Sequence, residues 1–165
     1  MSLATLMLEQ LAVARPIVED GNEIVPTWRI NTPEGNLLVL TPFDDVQPEQ
    51  RERTLHLMSR FLAWKMATSF VMTAETFLGA EETRGGEEAL LVIGVSHDER
   101  LAALQRITRA ETVAFSDPMW LAPHHVDDQY FALLPRGRTE ITAEEAMELA
   151  RIFGEDGEMA AQRLS

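Results

Sequence analysis

The stretch that most constrains this 165-residue chain is Ala89-Leu90-Leu91-Val92-Ile93-Gly94-Val95, seven residues without a polar side chain. Strands with one wet face alternate apolar and polar residues, so a short unbroken run reads as a strand buried on both faces. It is far below the ~20 residues that span a bilayer. Before it, Thr68 to Phe77 repeats with a period of two. Phe70, Met72 and Ala74 alternate with Val71, Thr73 and Glu75, and β-branched and aromatic residues occur throughout, which predicts another strand. The loop between them, Gly79 to Glu88, is acidic and carries Arg84-Gly85-Gly86. The two segments together predict a long hairpin.

Around this hairpin the pattern changes to helix at three places. Leu3, Leu6, Met7, Leu11 and Ala14 recur at three- and four-residue steps, with Ser2 as a cap and Pro16 expected to stop the helix near Arg15. A second helix is predicted from Pro48 to Lys65, because proline is tolerated at a first helical position and Asp44, Asp45 and Glu49 favour the positive end of the dipole. Leu55, Met58, Phe61, Leu62 and Lys65 fall on one side of it. A third helix carries the capping box Thr142 with Glu145, an apolar face of Ala146, Leu149, Ala150 and Phe153, and Gly154 as its stop. Residues 155–165 read as a loose tail or short helix.

The remaining segments read as strands or excursions. Glu23 to Asn31 and Asn36 to Pro42 flank Thr32-Pro33-Glu34-Gly35, a hairpin turn. Pro26 cannot donate to a ladder, which places the first arm at a sheet edge or a bulge. Leu101 to Arg109 fits two periods, a helix through Leu101, Leu104 and Ile107 or a strand through Ala103, Gln105 and Ile107; the strand is the preferred reading, paired with Thr112 to Phe115 through a short connection. Residues 116–140 hold three prolines and read as an excursion with one extended piece, Tyr130 to Leu134. The expected fold is therefore α+β in a single domain, 1–165. It has a mostly antiparallel sheet of about five strands with N-terminal, central and C-terminal helices. A parallel nucleotide-binding sheet needs alternating strands and helices, which are missing between Thr68 and Phe115.

Charge narrows the partners. Asp plus Glu number 27 against 14 Lys plus Arg, for a net charge of −13. That argues against a generic grip on nucleic acid and against an anionic membrane surface. With no cysteine, thiol nucleophiles, disulfides, iron–sulfur clusters and Cys-ligated zinc are excluded. The first fifteen residues lack the basic n-region of a signal peptide, and a cytoplasmic location is expected. No GxxxxGK[ST], GxGxxG or GxSxG motif occurs. Residues 64–77, WKMATSFVMTAETF, resemble the helix-to-strand junction of small bacterial proteins. That likeness covers under a tenth of the chain and implies no activity.

Three groups of residues could carry chemistry. His124, His125, Asp127 and Asp128 place four metal-ligand types in five residues, and His97 and Asp98 could complete a divalent-metal site. Neighbours on a loop cannot all point at one ion, so the plain alternative is a polar loop whose imidazole bonds a carbonyl. His56 has Arg60 rather than a second ligand at i+4. Glu75 interrupts an apolar and hydroxylic strand and is a candidate base if desolvated; a solvated or ion-paired Glu is the expectation. Arg51, Arg53, Arg60 and Lys65 form a basic stretch, with Arg100, Arg106 and Arg109 further on, whereas residues 139–165 carry seven acidic against two basic side chains. Internal pairing or a self-complementary dimer contact is the expected use, and an anion or partner site the functional alternative.

The function expected from these features is non-enzymatic association with a protein partner or with a second copy, through contacts that weaken with salt. No cofactor is predicted. A metal-dependent hydrolase or small-ligand enzyme built on the His/Asp loop is the alternative, and an acidic nucleic-acid mimic the second.

Overall fold

The apolar run forms the centre of β4 (Glu87–Ser96). Leu90 and Val92 are buried on one side of it, Ile93 and Val95 on the other. A computed structural model describes residues 2–41, 48–78, 87–126 and 128–153. Its other strands are β1 (Thr27–Thr32), β2 (Gly35–Leu40), β3 (Ser69–Leu78), β5 (Arg100–Arg109), β6 (Val113–Phe115) and β7 (Met119–Leu121). They make one seven-stranded sheet in the order β2-β1-β3-β4-β5-β6, with β7 also on β5. Every pairing is antiparallel. The fold is α+β, as the pattern of periods implies.

Helix α1 (Leu3–Glu19) covers one face. Its stripe Leu3, Met7, Leu11, Ala14 and Val18 packs on Val71, Leu90, Val92, Ala103 and Ile107. Gly94 lets the helix come close, since a Cβ there would lie 2.6 Å from Met7 Sδ. The opposite face is covered by α2 (Pro48–Trp64) and α4 (Ala143–Phe153). Leu55, Met58, Phe61 and Leu62 of α2 are buried there with Trp28, Ile30, Phe70 and Met72 of the sheet. Phe61 meets Phe153 at 4.9 Å between ring centroids. The Trp28 indole N–H donates to the Thr41 hydroxyl at 2.7 Å, so a buried polar handle is satisfied. The Ser2 and Thr142 hydroxyls cap α1 and α4 by accepting from Thr5 N and Glu145 N.

Three expectations need correction. Helix α1 runs through Pro16 to Glu19 rather than stopping near Arg15. The carbonyl that Pro16 cannot serve belongs to Ala12; both residues are exposed, so water can take the lost bond, and Val18, two residues beyond Pro16, is fully buried. Burial of such a side chain is worth roughly 1.5–3 kcal/mol, comparable to the ~3 kcal/mol cost of an interior proline. Pro26 does not mark an edge or a bulge. Strand β1 starts one residue later and lies between β2 and β3, while the Pro26 carbonyl accepts from Thr41 N at 2.9 Å. The edge falls to β2. Finally, the Tyr130–Leu134 segment is not extended: it opens in a helical turn, α3 (Asp128–Phe131), closed by Ala132 N to Asp128 O. The acidic loop with Arg84-Gly85-Gly86, Asp44, Asp45, the Gly154 stop and the tail lie outside the described residues. Among the described residues no helix is long and apolar enough to cross a membrane.

Candidate functional site

Among the described residues the His/Asp candidates form no single cluster. His124 and His125 sit in a short 3-10 turn, Pro123–His125, exposed and in tilted ring contact with centroids 4.1 Å apart. Asp128 is exposed at the start of α3, and Asp127 lies outside the described residues. His97 and Asp98 occupy the β4–β5 turn, where the Ser96 hydroxyl accepts from the backbone N–H of Asp98 and Glu99. Among the described residues no three His, Asp or Glu side chains are grouped to hold one metal ion.

Glu75 has a local task. It faces the α1 side of the sheet, half-buried, and its carboxylate accepts from Ile24 N at 2.9 Å. It thereby fastens the segment that leads from α1 to β1.

The segregated charges partly meet within the chain. Arg60 on α2 donates through Nε and Nη2 to Glu145 on α4, at 2.9 and 2.6 Å, and also reaches the Glu140 carbonyl. The hydrogen bond from Arg60 holds the Glu145 carboxyl below its ordinary value, and the guanidinium is raised in turn. Arg109 pairs with Glu88 at 2.6 Å. Of the remaining basic stretch, Arg51 lies over the Tyr130 ring and Lys65 over the Trp64 ring, 5.9 and 3.9 Å from the centroids, while Arg53 is exposed.

The feature that sequence reasoning missed lies at the β2 edge. Helix α1 packs over β3, β4 and β5, so beside it the β1–β2 part of that face remains open as a groove. The groove encloses a cavity of about 440 Å³ walled by Val13, Ile17, Ile24, Leu38 and Leu40. Val13 is 62% and Leu38 46% exposed. On its floor the Thr73 hydroxyl is buried with no hydrogen-bond partner among the described residues. Arg29, tied to Glu9 of α1 at 3.3 Å, crosses this face.

The edge itself is defined by register. Thr32 opposes Gly35 across a two-residue turn, and the pairs run without a bulge to Thr27 and Leu40. Bonded and non-bonded pairs alternate in such a ladder, and Thr41 N donates back to Pro26 O. Hence Gly35, Leu37 and Val39 direct their backbone groups to β1, while those of Asn36, Leu38 and Leu40 point away from the sheet. No described strand pairs that outer side. At the far end of the sheet the edge is cut into two three-residue pieces, β6 and β7, and shortness protects an edge. Strand β2 has six residues, no charge and no proline.

Comparison of the chain with family models, with curated proteins and with solved structures finds no match.

Proposed function

We propose that this chain is a non-enzymatic binding protein that associates through the outer edge of β2, with a second copy of itself as partner. The carrying observation is the open row of Asn36, Leu38 and Leu40, uncharged and bordered by the apolar groove of α1. Proteins that must stay monomeric blunt such edges with lysines, prolines or bulges; β2 has none of these.

An antiparallel pair of β2 strands about a two-fold axis through Leu38 sets Leu38 opposite Leu38 and Asn36 opposite Leu40. All three outward residues then meet in hydrogen-bonded pairs. On the α2 side Leu37 opposes Val39. Because Gly35–Leu40 carries no charged side chain, no like charges face each other, which self-pairing requires.

This placement changes the expected role of salt. The contact is uncharged, and the long-range force between two copies of net charge −13 is repulsive. Raising salt from 0.1 to 1 M shortens the screening length from about 10 to about 3 Å, so association strengthens. Sedimentation equilibrium across that range is the test. The expected result is a dimer favoured by salt, and a monomer for Leu38→Lys, which sets two ammonium groups opposite each other; Leu38→Thr, which keeps β-propensity, retains dimerisation. A wild-type chain that is monomeric at all salt concentrations, or a Leu38→Lys variant that dimerises as well as wild type, overturns the proposal.

A further inference from the structure

We infer that a second surface, distinct from the β2 edge, binds a small phosphate ester with an apolar body. The β4–β5 turn, the second half of α2 and the segment after α3 enclose two adjoining clefts of about 650 and about 600 Å³, and Arg100, Leu134 and Arg136 line both. Arg60 joins Arg100 and Arg136 in the second cleft, with Ser59, Thr139 and the apolar wall of Leu133 and Pro135. Volumes of this size suit small organic ligands.

Charge makes the arrangement informative. Acidic residues outnumber basic ones 27 to 14, so an arginine in this chain has carboxylates within easy reach. Asp98 and Glu99 line the first cleft and Asp128 the second. Yet neither Arg100 nor Arg136 forms an ion pair among the described residues, whereas Arg29, Arg60, Arg109 and Arg151 do. Arg100 is instead placed by the Phe131 ring, 5.7 Å from its Cζ to the centroid. Two arginines with no hydrogen bond or ion pair from their guanidinium groups among the described residues line the same clefts, a set of donors suited to a dianionic phosphate through charge-assisted hydrogen bonds. Arg60, already held by Glu145, supplies field rather than a fork. The apolar wall selects an ester over free phosphate.

Titration calorimetry of the full chain at constant ionic strength, with inorganic phosphate and with phenyl phosphate as probes, tests this. Phenyl phosphate binds more tightly than phosphate. Arg136→Gln, on an exposed segment, and Arg100→Gln each weaken binding about tenfold or more, as loss of a charge-assisted hydrogen bond does. Asp128→Asn tightens it several-fold by removing the opposing charge, which a merely structural role for these residues would not produce. Arg53→Gln leaves binding unchanged. Absence of saturable binding at millimolar phenyl phosphate, or equal affinity in the Arg100→Gln, Arg136→Gln double variant with the thermal unfolding of wild type, overturns the assignment.

Discussion

Replacing Gly94 with alanine probes how closely α1 is seated on the sheet. Gly94 lies mid-strand in β4, opposite Val71 and Leu101. Its φ is not in the left-handed region, so the backbone accepts alanine. The difficulty is space. The new Cβ would stand 2.6 Å from Met7 Sδ and 3.0 Å from both Met7 Cγ and Leu3 Cγ. Met7 is fully buried and Leu3 nearly so, so neither can swing into solvent. Overpacking of this kind costs roughly 1–3 kcal/mol. Against it, alanine restricts the unfolded chain and stabilises by about 0.4–1 kcal/mol. The crowding wins, for a net loss of about 1–2 kcal/mol, or roughly 2–8 °C in Tm for a chain of this size. Thermal and urea unfolding followed by circular dichroism measure it. A cycle with Met7→Ala isolates the cause, because Met7→Ala alone costs about 2–5 kcal/mol and opens the space the Cβ needs. The double variant should therefore lose clearly less than the two single losses together. An additive cycle, or a Gly94→Ala variant as stable as wild type, refutes the close seating of α1.

Three further outcomes follow from the geometry. Thr41→Val leaves the buried Trp28 N–H without its acceptor and should lower unfolding free energy by about 1–3 kcal/mol, read by urea titration with tryptophan fluorescence. Glu145, lowered chiefly by its hydrogen bond from Arg60, contributes stability that is present above the ordinary carboxylate value and is lost as pH falls through its depressed folded-state value. Glu145→Gln should flatten that acid limb of the Tm profile, and an unchanged limb would remove the α2–α4 clamp from the account. Thr142→Ala deletes the N-cap of α4 and should cost about 0.5–2 kcal/mol, measured by chemical unfolding.

Features that depend on local pattern were legible in the chain. The stripe Leu55, Met58, Phe61, Leu62 is the buried face of α2, and the run in β4 is covered on both sides. Thr142 caps α4. The 101–109 segment, whose pattern fits a helix as well as a strand, is decided by its pairing with β4. What was not legible depends on where elements end up. Pro16 reads as a stop because proline weakens any helix locally, whereas Val18 repays the continuation only once α1 lies on β3, β4 and β5. Pro26 reads as an edge marker, yet the edge is decided by which strand lies outermost. Three-residue strands such as β7 are too short to carry a period. The same limit applies to the sites: the groove beside Leu38 exists because α1 covers only part of its face, and Arg100 and Arg136, 36 positions apart, line the same clefts only once the chain has turned after α3. The clustered histidines, conspicuous as letters, are exposed neighbours whose rings touch each other at a tilt.

Amide hydrogen exchange along β2, followed by NMR as a function of protein concentration, tests the proposed association most directly. The amides of Leu37 and Val39 bond to β1 and should be protected at every concentration. Those of Asn36, Leu38 and Leu40 should exchange rapidly in dilute protein and become protected together as concentration and salt rise. Rapid exchange of these three amides at every concentration, in a chain that nonetheless associates, would place the contact elsewhere and contradict the account.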